Sequence, residues 1–336
     1  MTRARDVGVI LTLVGSVLLA ACGGSGGGSG ATATPGPHLV TPVEAMAALK
    51  NWDKVSTTAG QQQDATLMNT VETPPLATVD DAGVEATKNL GKPPDKAPTS
   101  SDLKVWVPHQ SSYPAFFLGT IKYTSARGVN VYLVCFIKVD AKAPWLAKWQ
   151  SAVLANTELP NVAVGVDGYA ELTSPADAKS WVMDQTEVSG ALVSYLNSAI
   201  ANGAPTDPTN LTANVQTRGV ADNLAAEVKN GPGNNQIIAF RFTEHPDISV
   251  AFKTADGGAL TFFALDQTET FTATKGGSFT QDAARSVFGP FLAPGDYSSV
   301  TDKYILLQAA TIPPKTAGKL TTIMAFTGYN IAASGG

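Results

Sequence analysis

The sequence predicts an α+β fold made of two similar units, each with helices packed on a curved antiparallel sheet. Two observations lead to this prediction. Helical patterns are followed by strand patterns twice along the chain, which is the order typical of α+β proteins. The chain has 336 residues, of which 44% are hydrophobic and 15% charged, so it holds enough apolar material for two cores behind a leader.

The first unit is predicted to span residues 39–172 and to begin with a helix. Thr41 and Glu44 have the spacing of a capping box, and Pro42 stands at the first helical position, where a missing N–H costs least. Apolar residues then recur at three-residue spacing and include Trp52, which we expect in the core. A second helical stretch follows residue 60, and a short third helix is predicted near residues 81–90.

Strands complete the first unit. Runs of aromatic and β-branched residues predict a hairpin and one further strand, over residues 113–123, 129–139 and 162–172. The second run is apolar on both faces, which is typical of a central strand covered on both sides. Its Cys135 is therefore expected to be a buried and unreactive thiol.

The second unit is predicted to span residues 173–336 and repeats this order. A cap-like Ser174-Pro175 pair opens it, and helices are expected around residues 187–201 and 221–230. Strand patterns follow over residues 235–243, 247–255, 259–274, 303–312 and 319–331. Asp256-Gly257 is the tight-turn signal between two of these strands.

The N-terminal leader indicates export. Residues 1–21 combine a short basic start with an apolar run of about 13 residues, too short to span a bilayer comfortably, and are predicted to be a signal peptide. The four residues LAAC at 19–22 resemble the lipobox of bacterial lipoproteins. This resemblance implies transfer of a diacylglyceryl group to the sulfur of Cys22 and cleavage just before it. The alternative is a plain secreted protein with Cys22 as a free thiol.

Residues 22–38 are predicted to be a tether anchored at Cys22. Glycine and serine dominate this segment, and it has no apolar face to bury. As such a coil, the 16 residues after Cys22 have a root-mean-square reach of about 20–24 Å. Two or more acyl chains, palmitate among them, would hold the body stably at the extracytoplasmic face of the cell membrane. The membrane is thus the predicted partner of the N-terminus.

Several functional classes are disfavoured by composition and motifs. The net charge is −5 without a basic cluster, so no nucleic-acid partner is expected. No spacing typical of a metal or cofactor site occurs, and we expect neither. His109 and His245 stand alone in predicted loops. Ser101 and Lys104 match the S-x-x-K motif of a catalytic serine only by chance, because they open a strand-like run. Asp80-Asp81 lacks the alternating oxygen ligands of a calcium loop and is interpreted as a solvated helix start.

Aromatic residues provide the one hint of a binding surface. Trp145 and Trp149 are four residues apart, one turn if the segment is helical, and other aromatics lie nearby in the first unit. Packing in the core of the first sheet is the favoured interpretation. The alternative is a concave, aromatic-lined pocket of the kind that curved sheets form.

The lipobox, the element order and the threonine- and alanine-rich composition together resemble secreted lipoproteins of actinobacteria whose function is unknown. Their bodies look like tandem cystatin- or NTF2-like units, and the resemblance covers roughly residues 40–332. It implies no catalytic residues. The predicted function is a lipid-anchored, non-enzymatic protein that binds a cell-envelope protein, another envelope component or a small apolar ligand. The alternatives are an envelope hydrolase whose site assembles only in the fold, and a solute-binding protein.

Overall fold

The structure is a computed structural model that describes residues 39–126, 128–246, 250–281 and 290–336. The predicted signal peptide, the tether and Cys22 lie outside the described residues. The assignments for residues 1–38 therefore stay predictions.

The chain begins with three helices, which are α1 (Pro42–Gln62), α2 (Ala65–Met68) and α3 (Leu76–Asn89). The predicted capping box at α1 is confirmed, because the backbone N–H of Glu44 donates to Thr41 Oγ1 at 3.2 Å and that of Thr41 donates to Glu44 Oε2 at 2.8 Å. Trp52 is buried, as predicted. Helix α3 begins five residues earlier than expected, so Asp80 and Asp81 lie inside it and the interpretation as a solvated helix start is wrong.

Four strands follow, which are β1 (Thr99–Trp106), β2 (Ala115–Ser125), β3 (Gly128–Lys138) and β4 (Leu146–Val153). Strands β2 and β3 pair along their full lengths, which confirms the hairpin. The strand predicted over residues 162–172 is wrong. This segment makes only isolated bridges, because a turn with Gly168 at φ 84° interrupts its extended run.

The second half repeats the order of helices before strands. Its helices are α4 (Pro175–Ala178), α5 (Val188–Asn202) and α6 (Arg218–Asn230). Its strands are β5 (Gln236–Glu244), β6 (Val250–Lys253), β7 (Ala259–Ala273), β8 (Phe279–Gln281), β9 (Gly295–Tyr297), β10 (Ser299–Ile312) and β11 (Thr322–Gly335). The five predicted strands are present, and the short β8 and β9 were not expected. The strand predicted over residues 247–255 is found as β6, and residues 247–249 lie outside the described residues.

Nine of these strands form one antiparallel sheet in the described part of the chain. Its order is β1-β2-β3-β4-β11-β10-β7-β5, with β6 also beside β7. The halves meet where β11 pairs with β4 through only two residue pairs, Ala325 with Val153 and Phe326 with Ala152. The α+β class with a large antiparallel sheet is therefore confirmed. The finer assignment of two cystatin- or NTF2-like units is not confirmed.

The two halves also share a hydrophobic core. One buried cluster contains side chains from both, among them Leu118, Cys135, Trp149, Phe252, Phe262 and Leu307. Strand β7 is covered on both faces, because Phe262 belongs to this cluster whereas Phe263 packs with α5 and α6 in a second one. The predicted boundary between residues 172 and 173 stays a prediction, and it would cross both a continuous sheet and a shared core.

Candidate functional site

A cavity of about 510 Å³ lies between α1 and α3, above the sheet. Strand residues Tyr123, Gln150 and Tyr329 contribute to its lining, and so does the proline-rich segment 92–98. The amide of Gln61 donates to the backbone oxygen of Asp95, and the amide of Gln63 donates to the backbone oxygen of Lys92 at 3.1 Å. The end of α1 thus holds this segment beside the cavity.

Two glycines keep the facing helices from filling the space between them. Gly60 on α1 and Gly83 on α3 both line the cavity, and a Cβ added at either would meet no heavy atom within 4 Å. Larger residues at these positions would project into open volume. The cavity therefore depends on small residues at facing helical positions.

A pair of carboxyl groups lies at one side of the cavity, with Asp80 lining it and Glu72 buried behind Asp80. Glu72 is 3% exposed, and Trp52 donates its indole N–H to Glu72 Oε1 at 2.8 Å. Glu72 Oε2 accepts no hydrogen bond in the described structure, and the carboxyl of Asp80, which lines the cavity, interacts with Glu72. Glu72 is held in place because the backbone on either side of it pairs with Ala147 of β4.

Burial changes the ionisation of this pair. Desolvation, followed by the nearby charge of Asp80, raises the pKa of Glu72 to about 10. Desolvation also raises the pKa of Asp80 to about 6. At neutral pH the pair therefore holds one proton, mainly on Glu72, and one negative charge, mainly on Asp80. The proton lets Glu72 donate to Asp80, so two acceptor groups can lie in contact.

A third carboxyl, that of Asp53, stands behind the aromatic part of the floor. The hydroxyl of Tyr123 donates to Asp53 Oδ1 at 2.7 Å, and Ser100 donates to Asp53 Oδ2 at 2.7 Å. Burial, followed by the hydrogen bond to Asp53, raises the pKa of Tyr123 well above its usual range. Tyr123 therefore stays protonated, and its hydroxyl hydrogen is committed to Asp53.

The two predicted loop histidines lie elsewhere. His109 Nε2 is 2.6 Å from Asp167 Oδ2, and His245 Nδ1 is 2.9 Å from Asp266 Oδ1. Each imidazole thus has a carboxylate partner, which a hydrolase site would need. Neither histidine lines the cavity between α1 and α3. The structure therefore does not bring them to the site described above.

The other predicted residues belong to the scaffold. Ser101 and Lys104 lie on β1, separated by a register irregularity, as their strand-like context predicts. Cys135 is fully buried, and desolvation raises its pKa. Trp149 is fully buried on β4 opposite Cys135, so its interpretation as a core residue is confirmed. The helical turn suggested for Trp145 and Trp149 is wrong, because residues 146–153 form a strand.

Sequence reasoning missed Glu72 and Asp80. A signal for Asp80 exists, because it lies four residues after the buried Leu76 and four before the buried Val84, on the apolar side of α3. Glu72 offers no such signal, since it precedes the helix and reaches the floor through pairing with β4.

Two further observations concern the described ranges only. No group of three or more histidine, cysteine, aspartate or glutamate side chains is placed there to hold a metal ion. No helix there is both long and apolar enough to cross a membrane.

Comparison with known proteins shows the family of the chain. A family model described as "Domain of unknown function (DUF8094)" matches residues 37–335. An uncharacterized lipoprotein of Streptomyces avermitilis is 27% identical over 301 residues, covering 86% of this chain and 85% of the relative. An uncharacterized lipoprotein of Streptomyces coelicolor is 26% identical over 260 residues, covering 74% of this chain and 75% of the relative. No solved structure matches the chain.

These matches confirm the resemblance to actinobacterial lipoproteins of unknown function. The match to the family model extends over nearly all of the chain beyond the predicted tether and includes both halves of the sheet. The chain belongs to the DUF8094 family.

Proposed function

We propose that the protein is a lipid-anchored, extracytoplasmic binding protein without enzymatic activity, and that its ligand occupies the cavity between α1 and α3. The observation that carries this proposal is the cavity of about 510 Å³ with the desolvated carboxyl pair of Glu72 and Asp80 at its floor. Small-molecule sites are concave, of this size, and contain a few convergent polar groups. Carboxyls with raised pKa values in a cleft are typical of functional sites.

Binding is favoured over acid–base catalysis by the position of Glu72. A general acid and a general base must both reach the reacting atoms. Asp80 lines the cavity, but Glu72 is only 3% exposed and lies behind it. The pair therefore presents one working carboxylate to a ligand, which suits recognition.

The anchoring part of the proposal is supported by the LAAC sequence at residues 19–22, the glycine-rich segment after it and the names of the two lipoprotein relatives. We expect Cys22→Ala to release the protein from membranes into the soluble fraction and to abolish incorporation of a labelled palmitate analogue. Fractionation and gel fluorescence measure both. Cys135→Ala, which removes the other cysteine, should leave both unchanged. Retention of the Cys22→Ala variant on membranes would contradict lipid anchoring.

The binding part is tested by filling the cavity. We expect Gly83→Leu to block binding while keeping or raising stability, because leucine is favoured over glycine in a helix by about 1 kcal/mol. Gly83→Ala is the matched control, since it brings the helical gain without filling the volume. Saturation-transfer NMR with small molecules extracted from the producing cell's envelope should detect ligands with wild type and Gly83→Ala but not with Gly83→Leu. Equal signals from all three, or none from wild type, would overturn the proposal.

A further inference from the structure

We infer that the ligand of the cavity between α1 and α3 is a small organic cation whose ammonium group lies against Asp80. This inference rests on the proposed function, because it assumes that the cavity is a binding site. It is drawn from the hydrogen-bond donors, the charges and the aromatic rings at the floor.

Two of the donors at the floor are already used. The indole N–H of Trp52 donates to Glu72, and the hydroxyl hydrogen of Tyr123 donates to Asp53. Beside them lie acceptors, namely the carboxylate oxygens of Asp80 and the lone pairs of the Tyr123 hydroxyl. A ligand group that contacts the oxygens of Asp80 must therefore bring hydrogen-bond donors or positive charge, which an ammonium group does and an ionised carboxylate or phosphate does not.

The charges point to the same ligand class. The carboxyl of Asp80 lines the cavity, with Glu72 directly behind it and Asp53 behind Tyr123. The lining lysines, Lys92 and Lys96, are exposed and lie on the proline-rich segment rather than at the floor. Because the floor is partly desolvated, attraction between an acidic floor and a cation is stronger than in water.

The contact between Glu72 and Asp80 also favours a cation. Two carboxyl groups in contact need either a proton or another positive group to offset their repulsion. The proton on Glu72 meets this need within the pair and leaves one negative charge, mainly on Asp80. An ammonium group on the cavity side of Asp80 would neutralise this remaining charge.

Aromatic rings complete the site. Trp52, Tyr123 and Tyr329 all line the cavity, and Tyr329 is 48% exposed. The faces of such rings attract cations within about 6 Å of the ring centre. A carboxylate and aromatic rings that line the same cavity are suited to a primary or a quaternary ammonium group.

The test compares cations with matched neutral and anionic probes on the full folded chain. The probes are choline, butylammonium, dimethylbutanol as the neutral carbon analogue of choline, and butyrate. We expect calorimetry to show that choline or butylammonium binds at least about tenfold more tightly than dimethylbutanol and butyrate. Asp80→Asn should weaken binding of the cation by about tenfold or more. Asp81→Asn is the matched control, because Asp81 is the next residue but does not line the cavity.

The outcomes separate this inference from the proposed function. The wild type could prefer dimethylbutanol or butyrate and lose this binding in Gly83→Leu. That result would overturn the inference of a cationic ligand and leave the cavity as a binding site. Cation binding that Asp80→Asn does not weaken would also overturn the inference, since the charge would then lie elsewhere. If no probe binds and the envelope extract gives no signal, both proposals fail. The last case is that no probe binds but the extract contains a ligand whose binding Gly83→Leu blocks. If that ligand carries no ammonium group, the inference of a cationic ligand is overturned and the proposed binding site stands.

Discussion

Phe262→Ala is expected to lower the free energy of unfolding by about 3–5 kcal/mol, the usual cost of removing a large aromatic side chain from a core. Phe262 on β7 is fully buried and contacts Phe252 edge to face at 6.4 Å between ring centroids. It lies in the same cluster as Leu118 and Trp149 from the first half. The void left by the missing ring should therefore destabilise both halves together.

Tryptophan fluorescence can follow the first half alone. Four of the five tryptophans belong to it, and Trp181 is the fifth. In a Trp181→Phe background, denaturant unfolding reports the first half, and its midpoint should fall when Phe262→Ala is added. Phe279→Ala, at a half-buried position on β8, is the control and should have a much smaller effect. An unchanged midpoint with Phe262→Ala would show that the halves unfold independently.

Glu72→Gln is expected to make stability less dependent on pH and to raise it at alkaline pH. The folded-state pKa of Glu72, about 10, lies above its ordinary value of 4.5, so the folded protein holds a proton that the unfolded chain releases. This contribution is complete below pH 4.5 and is lost as the pH rises toward the folded-state pKa. Glutamine has no proton to lose, can still accept from Trp52 through Oε1, and can donate an amide hydrogen to Asp80.

Denaturant unfolding at several pH values measures this effect. Wild type and Glu72→Gln should be similar near pH 4.5, and the variant should be more stable by at least about 1 kcal/mol at pH 9. Trp52→Phe is the contrasting variant. It should lose about 1–3 kcal/mol, because it leaves the buried Glu72 Oε1 without a donor. A parallel pH dependence for wild type and Glu72→Gln would show that Glu72 is ionised in the folded protein.

Local patterns predict much of the fold. The capping box of Thr41 and Glu44 marks the start of α1, and alternating aromatic and β-branched residues mark the hairpin of β2 and β3. An ambiguous spacing accounts for one of the errors. Tryptophans four residues apart share a side of a helix and also a side of a strand, so Trp145 and Trp149 could not decide between the two.

Long-range contacts could not be predicted in this way. The pairing of β11 with β4 joins Ala325 to Val153, far apart in sequence, and no local pattern specifies that partner. The same holds for Glu72, one of the two paired carboxyl residues of the candidate site. Asp80 can be recognised as an acidic residue on an apolar helical face, whereas Glu72 reaches it only through its bridge to Ala147.

The position of β11 has a consequence for biogenesis. This strand is furthest along the chain, yet it lies between β4 and β10 inside the sheet rather than at its edge. A chain that emerges from a ribosome or translocon with its N-terminus first therefore exposes β4 and β10 as unpaired edges until residues 322–335 arrive. For the exported protein proposed above, the sheet can close only after translocation is nearly complete, so folding would finish on the far side of the membrane.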